Sequence, residues 1–167
     1  MKLIRNVLPE STLKLFNSEM DRMLEQRCWS LSSTTWGSTL HDGIDGVCAA
    51  ATPSSMLLVK LRTIIKKYFP SSRNLNCNYH LWLSKSGINW HDDKMPNRTF
   101  GATLYLNDWQ KDWGGLFLWE DKEKEIHCIC PKAGTLVINT EYEEHSVTQV
   151  SSLAKYPRRS IQIWGED

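Results

Sequence analysis

Residues 87–107 read GINWHDDKMPNRTFGATLYLN. His91, Asp92 and Asp93 stand between two runs rich in apolar, β-branched and aromatic residues, which read as strands. On a strand, side chains at i and i+2 share a face, so His91 and Asp93 point together and Asp92 points away. His-x-Asp is then a two-ligand set for a metal. A charged surface turn explains the same three residues. The rest of the chain decides, by supplying further ligands or failing to.

The 167 residues are enough for one domain with a sizeable core and no disulfide staples. With a formal charge of +1, nothing global argues for nucleic acid or an anionic membrane, and neither is expected as a partner. A hydrophobic content of 41% describes a globular chain. The eight tryptophans fill a core first, and several can line a pocket. The five cysteines are Cys28, Cys48, Cys77, Cys128 and Cys130, an odd number without a Cys-x-x-Cys pair. Reduced thiols are the simple reading. With no signal-peptide pattern and no run of membrane-spanning length, the expectation is a cytoplasmic protein.

The pattern is helical at first and strand-like afterwards. In PESTLKLFNSEMDRML, Leu13, Phe16, Met20, Met23 and Leu24 recur at helical spacing. Residues 30–51 lack periodicity and read as a loop. TPSSMLLVKLRTIIKKYFP gives a second helix, with Thr52 as its cap, Pro53 in its first turn and Pro70 at its end. Its apolar stripe is Leu57, Leu58, Leu61, Ile64, Ile65 and Tyr68. From about Leu75, NCNYHLWLS, ATLYLND, LFLWE, IHCICP, GTLVINT, HSVTQV and RRSIQIW read as strands. The expectation is an α+β fold, helices packed on antiparallel strands, as a single domain over 1–167. Residues 1–70 supply helical support and loop, and 75–167 the β core.

The third ligand comes from TEYEEHSVTQV, where His145 opens a later strand. Two histidines and one carboxylate on neighbouring strands occupy one face of an octahedral metal and leave three positions open. That suits Fe(II) oxygen chemistry better than a closed tetrahedral zinc site. 2-Oxoglutarate can fill two open positions through its 2-oxo acid end, leaving one for O2. Its far carboxylate then needs a cation, best an arginine, whose planar fork pairs with both oxygens. In PRRSIQIWGED, alternation puts Arg158, Ser160, Gln162 and Trp164 on one face and Arg159, Ile161 and Ile163 on the other. The isoleucine face belongs against the helices. Arg158 is therefore the choice for the carboxylate, with Arg159 as the alternative.

With these residues in order, residues 75–164 resemble the prolyl-4-hydroxylase-like branch of the iron(II)/2-oxoglutarate-dependent dioxygenases. The resemblance runs through HDD at 91–93, RTFGATLYLND at 98–108, WGGLFLWED at 113–121, PKAGTLVINTEYEEHSV at 131–147 and RRSIQIW at 158–164. It implies a double-stranded β-helix, cupin-like, backed by N-terminal helices. It implies His91, Asp93 and His145 as iron ligands and Arg158 as the cation for the co-substrate. Ser160 completes an Arg-x-Ser pattern, and Tyr105 matches a tyrosine that hydrogen-bonds the same carboxylate. Fe(II), 2-oxoglutarate and O2 are the implied cofactor and co-substrates, with ascorbate as a stimulant. Many relatives use Lys for the carboxylate, which sets this chain among the arginine users. Asp93 separates it from the halogenases, which lack that carboxylate. Nucleic-acid demethylases carry a second arginine where this chain has Trp164.

The implied activity is hydroxylation of an unactivated C–H bond in an amino-acid residue of a peptide or protein, proline first. Free amino acids and other small molecules come second. A non-catalytic, metal-binding cupin acting as a sensor or interaction module is a different class, and a co-substrate clamp at Arg158 and Tyr105 argues against it. Desaturation or ring formation at the same iron site also stays open. Among the other histidines, His80 reads as structural. His127 with Cys128 and Cys130 reads as a chance grouping, and His41 with Asp42 and Asp45 as a loop. Trp90 points away from the metal if its strand is regular. Arg98 and Trp119 fall near the barrel mouth.

Overall fold

In the computed structural model, which describes residues 1–31, 44–45, 48–69 and 74–167, two antiparallel sheets face each other. The larger sheet runs β1 (Lys2–Ile4), β10 (Leu136–Asn139), β7 (Arg98–Tyr105), β12 (Arg158–Glu166), β5 (Asn74–Trp82), β4 (Cys48–Ala51), β2 (Ser30–Leu31). The smaller runs β3 (Ile44–Asp45), β6 (Gly87–His91), β11 (His145–Val147), β8 (Phe117–Glu120), β9 (Ile126–Ile129). This is the double-stranded β-helix. Two helices, α1 (Glu10–Glu25) and α2 (Ser55–Ile65), cover the outer face of the larger sheet.

Strand alternation builds two separate cores. On β12, Ile161 and Ile163 face outward and are fully buried with Phe16 and Met20 of α1 and Leu57, Leu61 and Ile65 of α2. Each such side chain contributes about 1.5–3 kcal/mol by leaving water. Of the expected helical stripes, Leu58, Ile64 and Tyr68 pack at the margin, whereas Leu24 is exposed. The second core lies between the sheets, where Trp82, Tyr105, Trp109, Trp113 and Phe117 gather.

Two local expectations are corrected. Thr52 does not cap α2: its hydroxyl bonds Asn78 at 3.2 Å, and Ser54 stands at the N-cap without a side-chain bond. The capping group comes from the other helix. The buried Glu19 carboxylate accepts the Ser54 N–H at 3.1 Å and the Tyr79 hydroxyl at 2.8 Å. It thereby satisfies an N-terminal donor of α2 and ties both helices to β5. The second correction concerns residues 30–51, expected as loop, which contribute β2, β3 and β4. All four residues of β4 are buried, so the CAAA run shows no alternation. Pro70, His41 and Asp42 lie outside the described residues.

Candidate metal and co-substrate site

The site opens between the sheets. The smaller sheet presents β6 and β11 side by side, with His91 directly opposite His145. The pairing of β6 with β11 is irregular there. Ile88 faces Val147 and His91 faces His145, so three steps on β6 match two on β11. This β-bulge leaves Asn89 and Trp90 on the solvent side and turns both Ile88 and His91 inward. Trp90 points away as expected, on an irregular rather than a regular strand.

Strand geometry does not carry Asp93 to His91, contrary to the alternation argument. β6 ends at His91, and Asp93 lies beyond it with φ of 59°. That left-handed turn swings the carboxylate back over the sheet. Asp92 takes a local role, accepting the Lys94 N–H at 2.9 Å. Asp93 then rests on Gly101 of β7, where a Cβ would stand 3.0 Å from its Oδ2. The glycine makes room for the carboxylate. Arg98 fixes the turn from the other side, donating from Nη1 to the Asp93 carbonyl at 2.6 Å while its guanidinium stacks over Trp164 at 4.9 Å.

The result is a three-donor cluster. One ligand atom each from His91, Asp93 and His145 lie within 4.8 Å of one another. His91 Nε2 stands 3.8 Å from Asp93 Oδ1, and His145 Nε2 3.4 Å from Asp93 Oδ2. Both rings are oriented from behind. His91 Nδ1 bonds the Asn89 carbonyl at 2.7 Å, inside the bulge, and His145 Nδ1 bonds the Glu143 carbonyl at 3.0 Å. These bonds place the proton on Nδ1 and leave Nε2 as the ligand atom. Asn139 holds the loop that delivers His145, donating to the Glu143 carbonyl at 2.8 Å and accepting the Glu143 N–H at 3.0 Å. Burial, and next the neighbouring His145, lowers the proton affinity of His91. Burial opposes ionisation of Asp93, but His145, His91 and Arg98 outweigh it and hold its carboxyl below the usual value. Two imidazoles and a carboxylate are the donor set of an open divalent-metal site.

The larger sheet supplies the opposite wall. Arg158, Ser160 and Gln162 face the pocket from β12, with Trp82 and His80 from β5 and Thr103 from β7. The empty space between these walls, open on one side to solvent, is about 370 Å³. Arg158 is 1% exposed. Its guanidinium lies 4.9 Å over the Tyr105 ring and 5.7 Å over the Trp82 ring. Arg158 Nε and the Tyr105 hydroxyl are both buried with no hydrogen-bond partner among the described residues. A buried cation without a carboxylate is costly, so this end of the pocket is built for an anion. Gly114 and Gly115, with φ of 63° and 58°, close the chain over it; a Cβ on Gly115 would stand 3.1 Å from Arg158 Cδ. Arg159 faces the other way and pairs with Asp21 at 2.6 Å and Asn17 at 3.2 Å on α1.

His80 is more than a core residue, since it is fully buried on the pocket wall. Burial, with Arg158 next, lowers its pKa to about 4, so the ring is neutral. His127 pairs with Asp121 at 2.5 Å and stacks on Trp119, apart from Cys128 and Cys130. All five cysteines are free thiols. Gly101 and Asn139 went unmarked in the sequence, and Thr103 and Gln162 were given a face but no role, because only the strand pairing gives them neighbours.

A barrel of this topology with such a donor set and a buried cation facing it defines a non-haem metal oxygenase. The chain belongs to the 2OG-Fe(II) oxygenase superfamily, whose family model matches residues 76–166. It is thus a 2-oxoglutarate-dependent dioxygenase that works with Fe(II) and 2-oxoglutarate. No curated protein matches the sequence significantly. Among solved structures, a Pseudomonas putida prolyl-4-hydroxylase is similar with a TM-score of 0.77 at 20% identity, over 99% of this chain and 92% of that one. A prolyl hydroxylase from Trichoplax adhaerens, in complex with a hypoxia inducible factor oxygen degradation domain peptide fragment, gives 0.74 at 16%, over 99% and 83%. The epimerase SnoN from nogalamycin biosynthesis, in complex with Fe3+, alpha ketoglutarate and nogalamycin RO, gives 0.68 at 15%, over 99% and 78%. At these identities the likeness is one of fold. Among the described residues no helix is long and apolar enough to cross a membrane.

Proposed function

We propose that this chain, acting as one domain, hydroxylates an unactivated C–H bond of an amino-acid residue in a peptide or protein, proline first. His91, Asp93 and His145 hold the Fe(II), and Arg158, Tyr105 and Ser160 hold 2-oxoglutarate. The observation that carries this reading is the pairing of a three-donor cluster with a buried cation, unpaired with any carboxylate among the described residues, across one small pocket. The substrate class rests on the topology shared with two prolyl hydroxylases, one of them carrying a peptide. Five free thiols support a reducing, cytoplasmic setting, and the near-neutral charge supports neither nucleic acid nor a membrane as partner.

When bound, Fe(II), 2-oxoglutarate and O2 supply the oxidation of a C–H bond to C–OH, with succinate and CO2 as coproducts. The chain's own residues do the rest. The Nδ1 bonds to Asn89 and Glu143 hold both imidazoles with Nε2 forward, so little reorganisation accompanies metal binding. Arg158 offers a charged fork and Tyr105 a hydroxyl to one carboxylate, which fixes the direction of the co-substrate. Trp82, Ile88, Phe117 and Val147 line the space between and keep water from the reacting centre.

The test is anaerobic titration of the metal-free protein with Fe(II) and 2-oxoglutarate, followed by the visible absorption of an iron-bound 2-oxo acid. The parent should develop the band, His145→Ala should lose it, and Arg158→Ala should need far more 2-oxoglutarate. Arg159→Ala, on the helix side, should behave as the parent. A folded parent without the band sinks the co-substrate reading. Proline-containing peptides, scored for mass gain of one oxygen, then test the substrate class; turnover of free proline but of no peptide would move it to small molecules.

A further inference from the structure

The inner face of the larger sheet is a ladder of paired side chains. Arg158 sits opposite Trp82; Ser160 opposite Tyr105 and His80; Gln162 opposite Thr103; and Trp164 opposite Gly101, where Asp93 rests. The Gln162–Thr103 rung thus lies between the metal-ligand end and the cation end. Gln162 lines both cavities that touch Asp93 and His145. Its amide is oriented: the Thr103 hydroxyl donates to Gln162 Oε1 at 2.7 Å. That leaves Nε2, with two N–H donors and no partner among the described residues, as the amide's unused side. Gln162 is 9% exposed as a residue, yet its Nε2 is not among the enclosed atoms that lack a partner, so these donors open onto the cavity where a ligand can meet them.

We propose that Gln162 is a co-substrate-binding residue that donates from Nε2 to the 2-oxo acid end of 2-oxoglutarate, with Thr103 as the positioning residue that aims it. The inference rests on the co-substrate reading above and adds a second recognition point, nearer the metal ligands than Arg158. A dicarboxylate spanning the cavity from the ligand cluster to Arg158 passes over this rung. Two neutral donors there favour an acid carrying a carboxylate at that end over one that lacks it. Arg158 cannot make this distinction, because it sees only the far carboxylate.

Direct binding of 2-oxoglutarate and of levulinate to the Fe(II)-loaded protein under anaerobic conditions tests this. Levulinate keeps the oxo group and the far carboxylate of 2-oxoglutarate but has a methyl group in place of the first carboxylate. Gln162→Leu should weaken 2-oxoglutarate binding roughly ten- to a hundred-fold, the range for a lost hydrogen bond to a charged group. Levulinate affinity should move less than about twofold. Because leucine leaves the Thr103 hydroxyl without its acceptor, the double variant Thr103→Val, Gln162→Leu removes both polar partners and protects the fold. It should melt like the parent and show the same selective loss. Arg158→Ala should weaken both ligands. A folded Gln162→Leu protein that binds 2-oxoglutarate as the parent does, or loses both ligands equally, overturns the proposal while Arg158 dependence keeps the co-substrate reading intact. A parent that does not bind 2-oxoglutarate at all overturns both.

Discussion

Gly101→Ala separates the metal site from the fold more cleanly than removal of a ligand. Gly101 is a mid-strand residue of β7, flanked by Asn139 on one side and Trp164 on the other. Alanine suits a strand better than glycine, by roughly 0.5–1 kcal/mol of backbone entropy. The added Cβ, however, would meet Asp93 Oδ2 at 3.0 Å and Asp93 Cβ at 3.7 Å. The carboxylate must then give by a few tenths of an ångström. Its backbone cannot easily follow, held by Arg98 at 2.6 Å and by a left-handed φ. Displacing a ligand's support typically costs about 10–100-fold in metal affinity. A tenfold weaker site removes about 1.4 kcal/mol of the stabilisation that saturating metal confers. For a domain of this size that is roughly 3–6 °C of melting temperature. Paired melts, with and without excess Mn(II) or Fe(II), read both quantities. The metal-free variant should melt at or slightly above the parent, and its metal-induced shift should be smaller by that amount. An unchanged metal shift in a folded variant would refute the claim that Gly101 makes room for a ligand.

Two further predictions concern stability. Glu19→Ala leaves the Ser54 N–H and the Tyr79 hydroxyl without their acceptor, at about 1–3 kcal/mol each, so urea unfolding should show a loss of roughly 2–5 kcal/mol; a loss under 1 kcal/mol would mean the carboxylate is not the cap of α2. His80 titrates near 6.5 when unfolded and near 4 when folded, so the unfolded chain binds the extra proton between those values. Its contribution is complete above pH 6.5 and is lost as pH falls toward 4, by roughly 3 kcal/mol. Unfolding of metal-free protein across that range should therefore steepen with acid, and His80→Asn should flatten the slope; parallel slopes would contradict a buried neutral ring.

The helices, the strands after residue 75 and the sidedness of β12 were legible because each rests on a period. Alternation alone separated Arg158 from Arg159, and the structure puts the first against Tyr105 and the second against Asp21. His91, Asp93 and His145 were legible as residue types in order, but not for the geometric reason first given. A bulge aims His91, and a left-handed turn aims Asp93. Neither device has a periodic trace. β4 escaped notice because burial on both faces erases alternation in CAAA. The cap of α2 was misread as Thr52 because its true source, Glu19, is 35 residues away in the chain. Gly101 and Asn139 carry no local signal, and Gln162 only its face, since their meaning is set by the strand beside them.

The irregular pairing at Asn89–Trp90 makes the site depend on how many residues separate two points as well as on which residues they are. Loss of a single residue between Ile88 and His91 would let β6 zip onto β11 without a break, an outcome the hydrogen-bond ladder itself favours. The strand pair would survive and its sheet would be more regular. The imidazole of His91 would still share the face of Ile88, because residues two apart on a strand point the same way. Its Nδ1 would lose the Asn89 carbonyl as the bulge now presents it, and with that the bond that aims Nε2 at the cluster. Chains of this family that diverge by a one-residue deletion here would therefore keep the barrel and the ligand while loosening its aim, whereas substitutions at Asn89 or Trp90 would be absorbed at the surface. The bulge is a device for aiming a ring, and it is written in the count of residues rather than in their kinds.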